Sequence, residues 1–257
     1  MPRVLVTAGT IAVVGGVLAS TAGGWTPTPS PGLVVHGPRT LRLAALTFDA
    51  DLTPGMSAAL RTGRLRSAYD PRIVRELVRT RTPATLFLTG MWTLAYPGVA
   101  RRLARDRLFE IENHSFDHAA WELPCYGLAG VLSAAAKRAE VLRAARAIRR
   151  VARVRARYFR FPGGCQDEAD VRLVRSLGEQ PVQWDVVSGD SYLFNVSAVE
   201  RQVLTEVRPG SIVVLHLDGA PMAPTTAAAL DVVIPDLKAR GFRFVTVRTL
   251  LAAGVPH

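Results

Sequence analysis

Short apolar runs recur along this chain, and a segment with helical periodicity or a helix cap separates each run from the next. Runs of this length, bounded by charged residues, are typical of strands buried on both faces. Their alternation with helices predicts an α/β fold with a parallel sheet, most simply one rolled into a barrel. The predicted strands are Leu41–Phe48, Ala84–Thr89, Phe109–Asn113, Tyr158–Phe161, Pro181–Val187, Ser211–Leu217 and Phe242–Val247. The predicted helices are Arg72–Arg79, Pro97–Arg105, Ala129–Val154, Asp167–Leu177, Val196–Val207 and Thr225–Lys238.

An open doubly wound sheet is the competing architecture for this alternation. Such a sheet carries a glycine-rich phosphate-binding turn after its first strand, whereas Asp49-Ala50-Asp51 follows the first strand here. In either arrangement the active site gathers at the carboxyl ends of the strands. Polar side chains at that end of several predicted strands therefore indicate an enzyme. They are Asp49 and Asp51 after the first strand, His114 and His118 after the third, Arg160 in the fourth, Asp190 beyond the fifth and His216 at the end of the sixth.

His114 and His118 are spaced so that one helical turn between them would bring both imidazoles to a single ion. One of the two aspartates would complete a two-histidine, one-carboxylate set with positions left open for water and substrate. Two histidines at this spacing also arise by chance, and an aspartate after a strand often caps a turn. The presence of two aspartates together with the two histidines favours a metal site.

Three further residues suit the chemistry of such a site. Arg160 next to a buried carboxylate would hold that carboxylate ionised and aligned. The amide of Gly163, in a Pro-Gly-Gly turn, could face a developing oxyanion, although an ordinary strand-ending turn is the alternative. His216 stands alone in an aliphatic strand. A hydrogen-bonded core histidine is the usual explanation for such a residue, but its position at the strand end favours catalysis.

The amino terminus has the composition of a secretory signal. A basic start at Arg3 precedes an uncharged run, Val4–Ala22, that ends in small residues. This pattern predicts a signal peptide over residues 1–22, and the run is also just long enough to remain as a membrane anchor. Alternate prolines then predict a stiff, extended linker over residues 23–32. We expect residues 33–257 to form one catalytic domain that is exported, either secreted or tethered to the outer face of the membrane or cell wall.

The chain has two cysteines, Cys125 and Cys165, each shortly after one of the motif loops. In an exported protein two cysteines favour one disulfide, which here would join the two loops across the mouth of the site. Two unpaired, partly buried thiols are the alternative.

The net charge of +11 is most concentrated in residues 137–157, where nine basic residues accompany the single acid Glu140. A basic segment can indicate nucleic-acid binding. Here the apolar positions recur with helical period and base-stacking aromatic residues are absent, so we expect the arginines on a solvated outer face. For an exported protein this basic surface predicts attraction to an anionic cell envelope rather than to nucleic acid.

Taken in order, these motifs resemble those of the polysaccharide deacetylases of the NodB-homology type, carbohydrate esterase family 4, which remove acetyl groups from N-acetylglucosamine polymers. The similarity runs from about Leu41 to Leu250 and includes the segments Pro83–Gly90 and Glu110–Ser115. The resemblance implies a distorted barrel of seven or eight β/α units with its active site at the carboxyl ends of the strands. It also implies a carbohydrate polymer as substrate and a divalent ion, most commonly zinc, with cobalt, manganese or nickel as alternatives. We expect a monomer.

The resemblance assigns a role to each polar residue at the strand ends. Asp49 would be the general base, positioned by Arg160. His216 would protonate the departing amine, with Asp190 tuning its pKa. The Gly163 amide would help to stabilise the oxyanion. The implied metal ligands are Asp51, His114 and His118.

The chain also departs from the family pattern. Ala50 separates two aspartates that are adjacent in the common first motif, so the turn must absorb an offset of one residue. The aspartate and tryptophan of the usual fourth motif are Val187 and Ser191, and a leucine before the final histidine is Val214. These changes affect the expected wall of the substrate groove more than the chemistry. The segment Leu52–Tyr69 is also longer than the usual connection.

The sequence therefore predicts a metal-dependent hydrolase that removes N-acetyl groups from an extracellular amino-sugar polymer, with peptidoglycan ahead of chitin-like oligomers. This is hydrolysis of a carbon–nitrogen bond other than a peptide bond. Cleavage of an O-acetyl ester by the same residues is one alternative. An inactive relative that binds glycan at the cell surface is another, although Asp49 and His216 are both present.

Overall fold

The computed structural model describes residues 30–254, in which every named strand pair is parallel. This confirms the predicted α/β class. The predicted signal or anchor, residues 1–22, lies outside the described residues, as does most of the predicted linker. The strands are β1 Leu43–Ala50, β2 Ala84–Leu88, β3 Phe109–Asn113, β4 Tyr158–Phe159, β5 Gln180–Pro181, β6 Val186–Val187, β7 Ser211–His216 and β8 Arg243–Phe244.

The sheet curls into the distorted barrel that the sequence predicts. Its spatial order is β5-β4-β3-β2-β1-β7-β6, and β8 pairs with β1. The single predicted strand Pro181–Val187 is therefore wrong, because Pro181 ends β5, Val186 and Val187 form β6, and these two strands lie at opposite ends of the sheet. The chain crosses between these ends where the Asp185 carboxylate accepts a hydrogen bond from the Ile212 amide at 2.8 Å. That hydrogen bond ties the crossing segment to β7.

The helices that connect these strands agree with most of the predicted ones. Asp70 caps the helix that begins at Pro71, and its side chain accepts a hydrogen bond from the Arg72 amide. The helices are α1 Pro54–Arg61, α2 Pro71–Arg79, α3 Gly90–Ala95, α4 Pro97–Arg105, α5 Ala134–Ala152, α6 Glu168–Ser176, α7 Val196–Glu206, α8 Thr226–Ala239 and α9 Val247–Ala252. Among residues 30–254, no helix combines the length and the apolar character needed to cross a membrane.

Three helices were not predicted. Helix α1 carries a usable signal, because Thr53 caps it with Pro54 following, and Met56 and Leu60 pack against the core, but it lies inside the segment Leu52–Tyr69 that was treated as a connection. Helix α3 has only six residues. Helix α9 begins within the predicted strand Phe242–Val247, because the Thr246 side chain caps it by accepting a hydrogen bond from the Thr249 amide.

Strand β1 is the centre of the sheet, and all eight of its residues are buried. It pairs with β2 on one side and β7 on the other, which places Asp49 opposite both Phe87 and His216. Because the strands are parallel, their carboxyl ends meet at one edge of the barrel. The polar motifs at those ends are therefore close in space.

Helix α5 carries most of the basic segment on its solvent side. All eight arginines between residues 138 and 157 are exposed, as expected for an outer face. Lys137 is an exception, because it is buried and its Nζ lies 2.8 Å from Asp170 and 3.1 Å from Glu122. Helix α5 begins at Ala134 rather than at Ala129, since the preceding residues form a separate loop.

Candidate metal centre and active site

One carboxylate and two imidazoles converge at the carboxyl edge of the sheet. The Oδ1 and Oδ2 atoms of Asp51 lie 3.3 Å from Nε2 of His114 and 3.4 Å from Nε2 of His118, respectively. One donor atom from each of the three residues lies within 4.8 Å of the others. The loop from His114 to His118 is not helical. Instead Ser115 and His118 adopt positive φ values of 66° and 62°, which turn the loop tightly enough to bring the second imidazole to Asp51.

The chemistry of this cluster fits a divalent cation. Nδ1 of His114 donates a hydrogen bond to the backbone oxygen of Arg160 at 2.9 Å, so Nε2 presents a lone pair. Nε2 of His114 and Oδ1 of Asp51 are both buried and have no hydrogen-bond partner. Two buried acceptors that face each other are unfavourable unless a positive charge lies between them. Two nitrogen ligands and one oxygen ligand are a common set for zinc.

The protonation states of two of these residues also suit metal binding. Burial opposes ionisation of Asp51, but His118 and His114 hold the pKa of its carboxyl well below the usual range. Burial lowers the pKa of His118 to about 4. Asp51 is therefore an anion and His118 is neutral at neutral pH, the states in which they can bind a metal. Burial opposes protonation of His114, yet the neighbouring carboxylates of Asp49 and Asp51 outweigh it and raise its pKa.

Asp49 lies beside this cluster and is held by the buried guanidinium of Arg160. Nη1 of Arg160 donates to Oδ1 of Asp49 at 2.7 Å and to Oγ1 of Thr47 at 2.8 Å. The Arg160 side chain is fully buried and lies 4.0 Å from the centroid of the Phe87 ring. The other carboxylate oxygen of Asp49, Oδ2, is 3.6 Å from Nε2 of His114. One oxygen of Asp49 is thus fixed and the other faces the cluster.

His216 enters the site from β7 with a buried carboxylate behind it. Its Nδ1 lies 2.7 Å from Oδ1 of Asp190, and its backbone amide donates to Oδ2 of the same residue at 2.8 Å. The Thr226 hydroxyl also donates to Asp190 Oδ2 at 2.7 Å. Burial opposes the charged imidazole, but Asp190 outweighs it and raises the pKa of His216 to about 10. The opposite ring atom, Nε2, is 4.0 Å from Oδ2 of Asp51.

A cleft of about 490 Å³ opens above these residues. Gly163 lies on one side of it, in a single 3₁₀ turn, Pro162–Gly164, with a φ of +60° that suits glycine. The lining residues are Asp49, Asp51, Thr53, Met56, His118, Tyr126, Leu128, Gly163, Trp184, Val187, Ser191, Tyr192, Val214, His216, Asp218 and Met222.

Asp218 is a residue of the site that the sequence analysis missed. It is buried, and its Oδ1 accepts a hydrogen bond from the Asp51 amide at 3.1 Å. Burial, followed by the charge of Asp51, raises its pKa well above the ordinary value. The signal was available, since Asp218 follows His216 by two residues, and alternation along a strand directs such residues to the same side. It was overlooked because the predicted strand ended at Leu217.

The two cysteines form a disulfide, as the sequence analysis favoured. Cys125 and Cys165 are bonded, with their Cα atoms 6.2 Å apart. Cys125 belongs to a loop of residues 120–131, here called the disulfide loop, and Cys165 directly follows the turn that contains Gly163. The bond therefore attaches the disulfide loop to one side of the cleft.

A second acidic group, Glu122 with Asp167 and Asp170, also has a spacing that could hold an ion. Its geometry already has an explanation in the protein. Lys137 Nζ contacts Glu122 and Asp170, and the Asp167 side chain caps α6 by accepting a hydrogen bond from the Asp170 amide at 2.8 Å. This group is an ion pair that joins α5 to α6.

Comparison with known proteins places the chain in a family. A family model described as polysaccharide deacetylase matches residues 36–182. A chitooligosaccharide deacetylase of Sinorhizobium fredii is 32% identical over 188 residues, which cover 68% of this chain and 81% of the relative. A peptidoglycan-N-acetylglucosamine deacetylase of Bacillus cereus is 26% identical over 235 residues, which cover 90% of this chain and 78% of the relative.

A solved structure supports the same relationship. The family 4 acetyl xylan esterase from Clostridium thermocellum, in complex with a cobalt ion, superposes with a TM-score of 0.66 at 25% identity, covering 83% of this chain and 93% of that one. The matched segment, the shared fold and the curated relatives agree with one another. The chain belongs to the polysaccharide deacetylase family.

Proposed function

We propose that the protein is a metal-dependent deacetylase that hydrolyses the N-acetyl groups of an amino-sugar polymer. The observation that carries this proposal is the position of Asp49, which has one oxygen fixed by Arg160 and the other 3.6 Å from a candidate metal ligand, His114. Asp51, His114 and His118 would hold the ion, most commonly zinc. When bound there, a divalent ion would supply Lewis-acid polarisation of the acyl oxygen and a lower pKa for water.

Asp49 is the general base in this proposal. Its Oδ1 is committed to Arg160, so Oδ2 is the atom that accepts the proton of the attacking water. The buried guanidinium keeps the carboxylate in one orientation, because its hydrogen bond to Thr47 fixes the guanidinium in turn. Proton transfer then needs no rearrangement of the carboxylate.

His216 is the general acid on the opposite side of the cluster. Asp190 accepts from Nδ1 and, against the effect of burial, raises the pKa of His216 to about 10, so Nε2 carries a proton at neutral pH. Nε2 faces the Asp51 side of the cleft and can donate that proton to the departing amine nitrogen. In this proposal the amide of Gly163, a residue that lines the cleft, donates to the acyl oxygen as it becomes negative.

The relatives support an N-acetylated amino sugar as the substrate, with peptidoglycan and chitin-like oligomers as the two candidates. A second candidate function is the hydrolysis of O-acetyl esters of a polysaccharide. The likeness to an acetyl xylan esterase at 25% identity favours it, since the same residues would serve an alcohol as leaving group. A bound metal without hydrolysis of either substrate would instead indicate a glycan-binding relative.

The proposal includes export and the location of the substrate. An uncharged run, Val4–Ala22, after a basic start supports secretion or anchoring, and residues 33–257 are the proposed catalytic domain. The exposed arginines of α5 would draw the enzyme to an anionic cell envelope. Sedimentation of the protein with isolated cell walls tests this attraction. We expect the sedimented fraction to fall with added salt and with replacement of Arg146, Arg149 and Arg150 by Gln.

Acetate release tests the proposed function directly. The purified protein is incubated with N-acetylglucosamine oligomers, peptidoglycan and acetylated xylan, with zinc or with a chelator. We expect release from an N-acetylated glycan that requires zinc and is lost in Asp49→Asn. Release from acetylated xylan alone would support the esterase instead. Zinc binding without release from any of the three would contradict both enzymatic functions.

A further inference from the structure

Two tyrosines, Tyr126 and Tyr192, line the same cleft as the charged residues of the site. Tyr126 is 68% exposed and Tyr192 is 44% exposed, so both side chains are accessible from solvent. Aromatic rings exposed beside a catalytic cleft are typical of a binding surface rather than of a core.

Tyr126 is exposed but firmly attached. The disulfide loop is closed at its base, where the Ala120 amide donates to Ala129 and the Val131 amide donates to Ala120, each at 2.8 Å. Near its tip, Cys125 is bonded to Cys165. The tyrosine directly after Cys125 is therefore presented by a loop that is tied at both ends, which lowers the entropic cost of binding against its ring.

Tyr126 also contacts the turn that contains the proposed oxyanion donor. A Cβ atom built on Gly163 would lie 2.6 Å from Sγ of Cys125 and 3.3 Å from Cδ2 of Tyr126. The space that a side chain at this position would fill is therefore occupied by the disulfide loop. The Tyr126 ring forms the wall beside Gly163, so a group that packs on this ring also lies next to the Gly163 amide.

Tyr192 belongs to a second anchored loop on the wall of the cleft. The Tyr192 amide donates to the Gly189 oxygen at 3.0 Å, and the Thr225 hydroxyl donates to the Leu193 oxygen at 3.2 Å. Ser191, where the family pattern has tryptophan, lines the same cleft next to Tyr192. Aromatic surface is thus present on this wall although residue 191 itself does not supply it.

We propose that Tyr126 and Tyr192 form a sugar-binding subsite that holds one pyranose ring of the polymer, and that the Cys125–Cys165 disulfide positions Tyr126 for this task. The C–H groups on the face of a pyranose are attracted to the negative face of an aromatic ring, while the sugar hydroxyls stay at the wet rim. This inference rests on the proposed function for the identity of the polymer. It assigns recognition of the sugar to a loop outside the catalytic motifs.

The decisive comparison is between a substrate with sugar rings and one without. For each variant, kcat/KM is measured on an N-acetylglucosamine tetramer and on 4-nitrophenyl acetate. In Tyr126→Ala the ratio of the two values should fall about tenfold, mainly through KM on the tetramer. Leu132→Ala is the matched control, because Leu132 is 64% exposed close to the disulfide loop and does not line the cleft. An unchanged ratio, or equal losses on both substrates, would overturn the subsite.

Binding without turnover separates this inference from the proposed function. The tetramer is titrated into Asp49→Asn and into Asp49→Asn with Tyr126→Ala, and the affinity should fall about tenfold between them. If the wild-type protein released no acetate but this loss appeared, the subsite would stand and the proposed function would fail. Equal affinities of the two proteins for the tetramer would contradict the subsite, whether or not the wild-type protein releases acetate.

The role of the disulfide is tested by non-additivity. In a Cys125→Ala, Cys165→Ala background that keeps its circular dichroism, Tyr126→Ala should cost much less affinity than in the disulfide-bonded protein. The same loss in both backgrounds would contradict a positioning role for the bond. If the double variant does not fold, the comparison is made with folded protein reduced by a phosphine.

Discussion

Arg160 and Asp49 form a buried ion pair across the floor of the barrel, with Nη1 of the arginine 2.7 Å from Oδ1 of the aspartate. Burial lowers the pKa of Arg160 while Asp49 opposes that effect, so the carboxylate stabilises the buried guanidinium charge. The pair fixes Asp49 without engaging its second oxygen. A buried pair of this kind contributes little net stability but strongly restricts orientation, which is the property that a positioned general base requires.

Replacing Asp49 with asparagine tests its role as the base. The side-chain oxygen of asparagine can still accept from Arg160, so zinc content should be retained while kcat falls by roughly a hundredfold or more. Zinc is measured by atomic absorption and turnover by acetate release. A kcat within a few-fold of wild type would exclude Asp49 as the base.

Asp51→Ala distinguishes the metal ligand from the base. Because Asp51 is the carboxylate nearest both imidazoles, its loss should weaken zinc affinity by more than about a hundredfold. Competition with a chelating dye provides the measurement, and Asp49→Asn is the control. Full metal retention in Asp51→Ala would transfer the ligand role to Asp49.

Asp218 is predicted to act through its hydrogen bond to the Asp51 amide. Asp218→Asn preserves an acceptor and should change zinc affinity by less than about threefold, whereas Asp218→Ala should weaken it by about tenfold or more. Equal effects of the two substitutions would show that the hydrogen bond does not position Asp51. The same dye competition reports the result without depending on turnover.

His216→Ala should slow amide cleavage more than ester cleavage, because an alkoxide departs without a proton more readily than an amine anion does. The expected difference between the two losses is at least about tenfold. Turnover is compared on an N-acetylated oligomer and on 4-nitrophenyl acetate. Parallel losses would argue that His216 does not protonate the leaving group.

Glu179 predicts a pH dependence of stability outside the active site. Burial raises its pKa to about 8, although Asn113 donates to its carboxylate at 2.9 Å and opposes this effect. A raised pKa means that the stabilising contribution is complete below about pH 4.5, the ordinary value, and is lost as the pH rises through about 8. Glu179→Gln, which does not titrate, should lack this loss.

The measurement is the free energy of unfolding of wild type and Glu179→Gln by urea at about pH 4.5 and pH 9. The advantage of the variant should grow between these pH values by about 3 to 5 kcal/mol. A difference that stays constant with pH would show that Glu179 does not titrate with a raised pKa in the folded protein.

Much of the fold could be predicted because it depends on local patterns. The apolar run of β1 indicates a buried strand, and Asp70 followed by Pro71 indicates the start of α2. The division of residues 181–187 has no such pattern. These residues look like one strand, and only pairing with different neighbours assigns Pro181 to β5 and Val186 and Val187 to β6.

Part of the candidate site could likewise be predicted from local patterns, and part could not. Asp51, His114 and His216 each stand at or just after the end of a strand. This was sufficient to predict that they meet, because parallel strands end at a common edge. Asp218 was missed because the predicted strand ended at Leu217, and its hydrogen bond to the Asp51 amide, which spans 167 residues of the chain, is visible only in the structure. The ion pair of Lys137 with Asp170 is also a contact between distant segments, so the burial of this lysine was not predicted.

The sequence by itself determined the strand–helix alternation, the order of the polar motifs and hence the edge of the sheet at which they meet, because each follows from spacing along the chain. Only the tertiary structure decided which oxygen of Asp49 Arg160 holds, how a loop with positive φ at His118 brings that imidazole to Asp51, and that Tyr126 packs beside Gly163. Those relations join segments distant in sequence, and they exist only once the sheet has curled and brought its loops together.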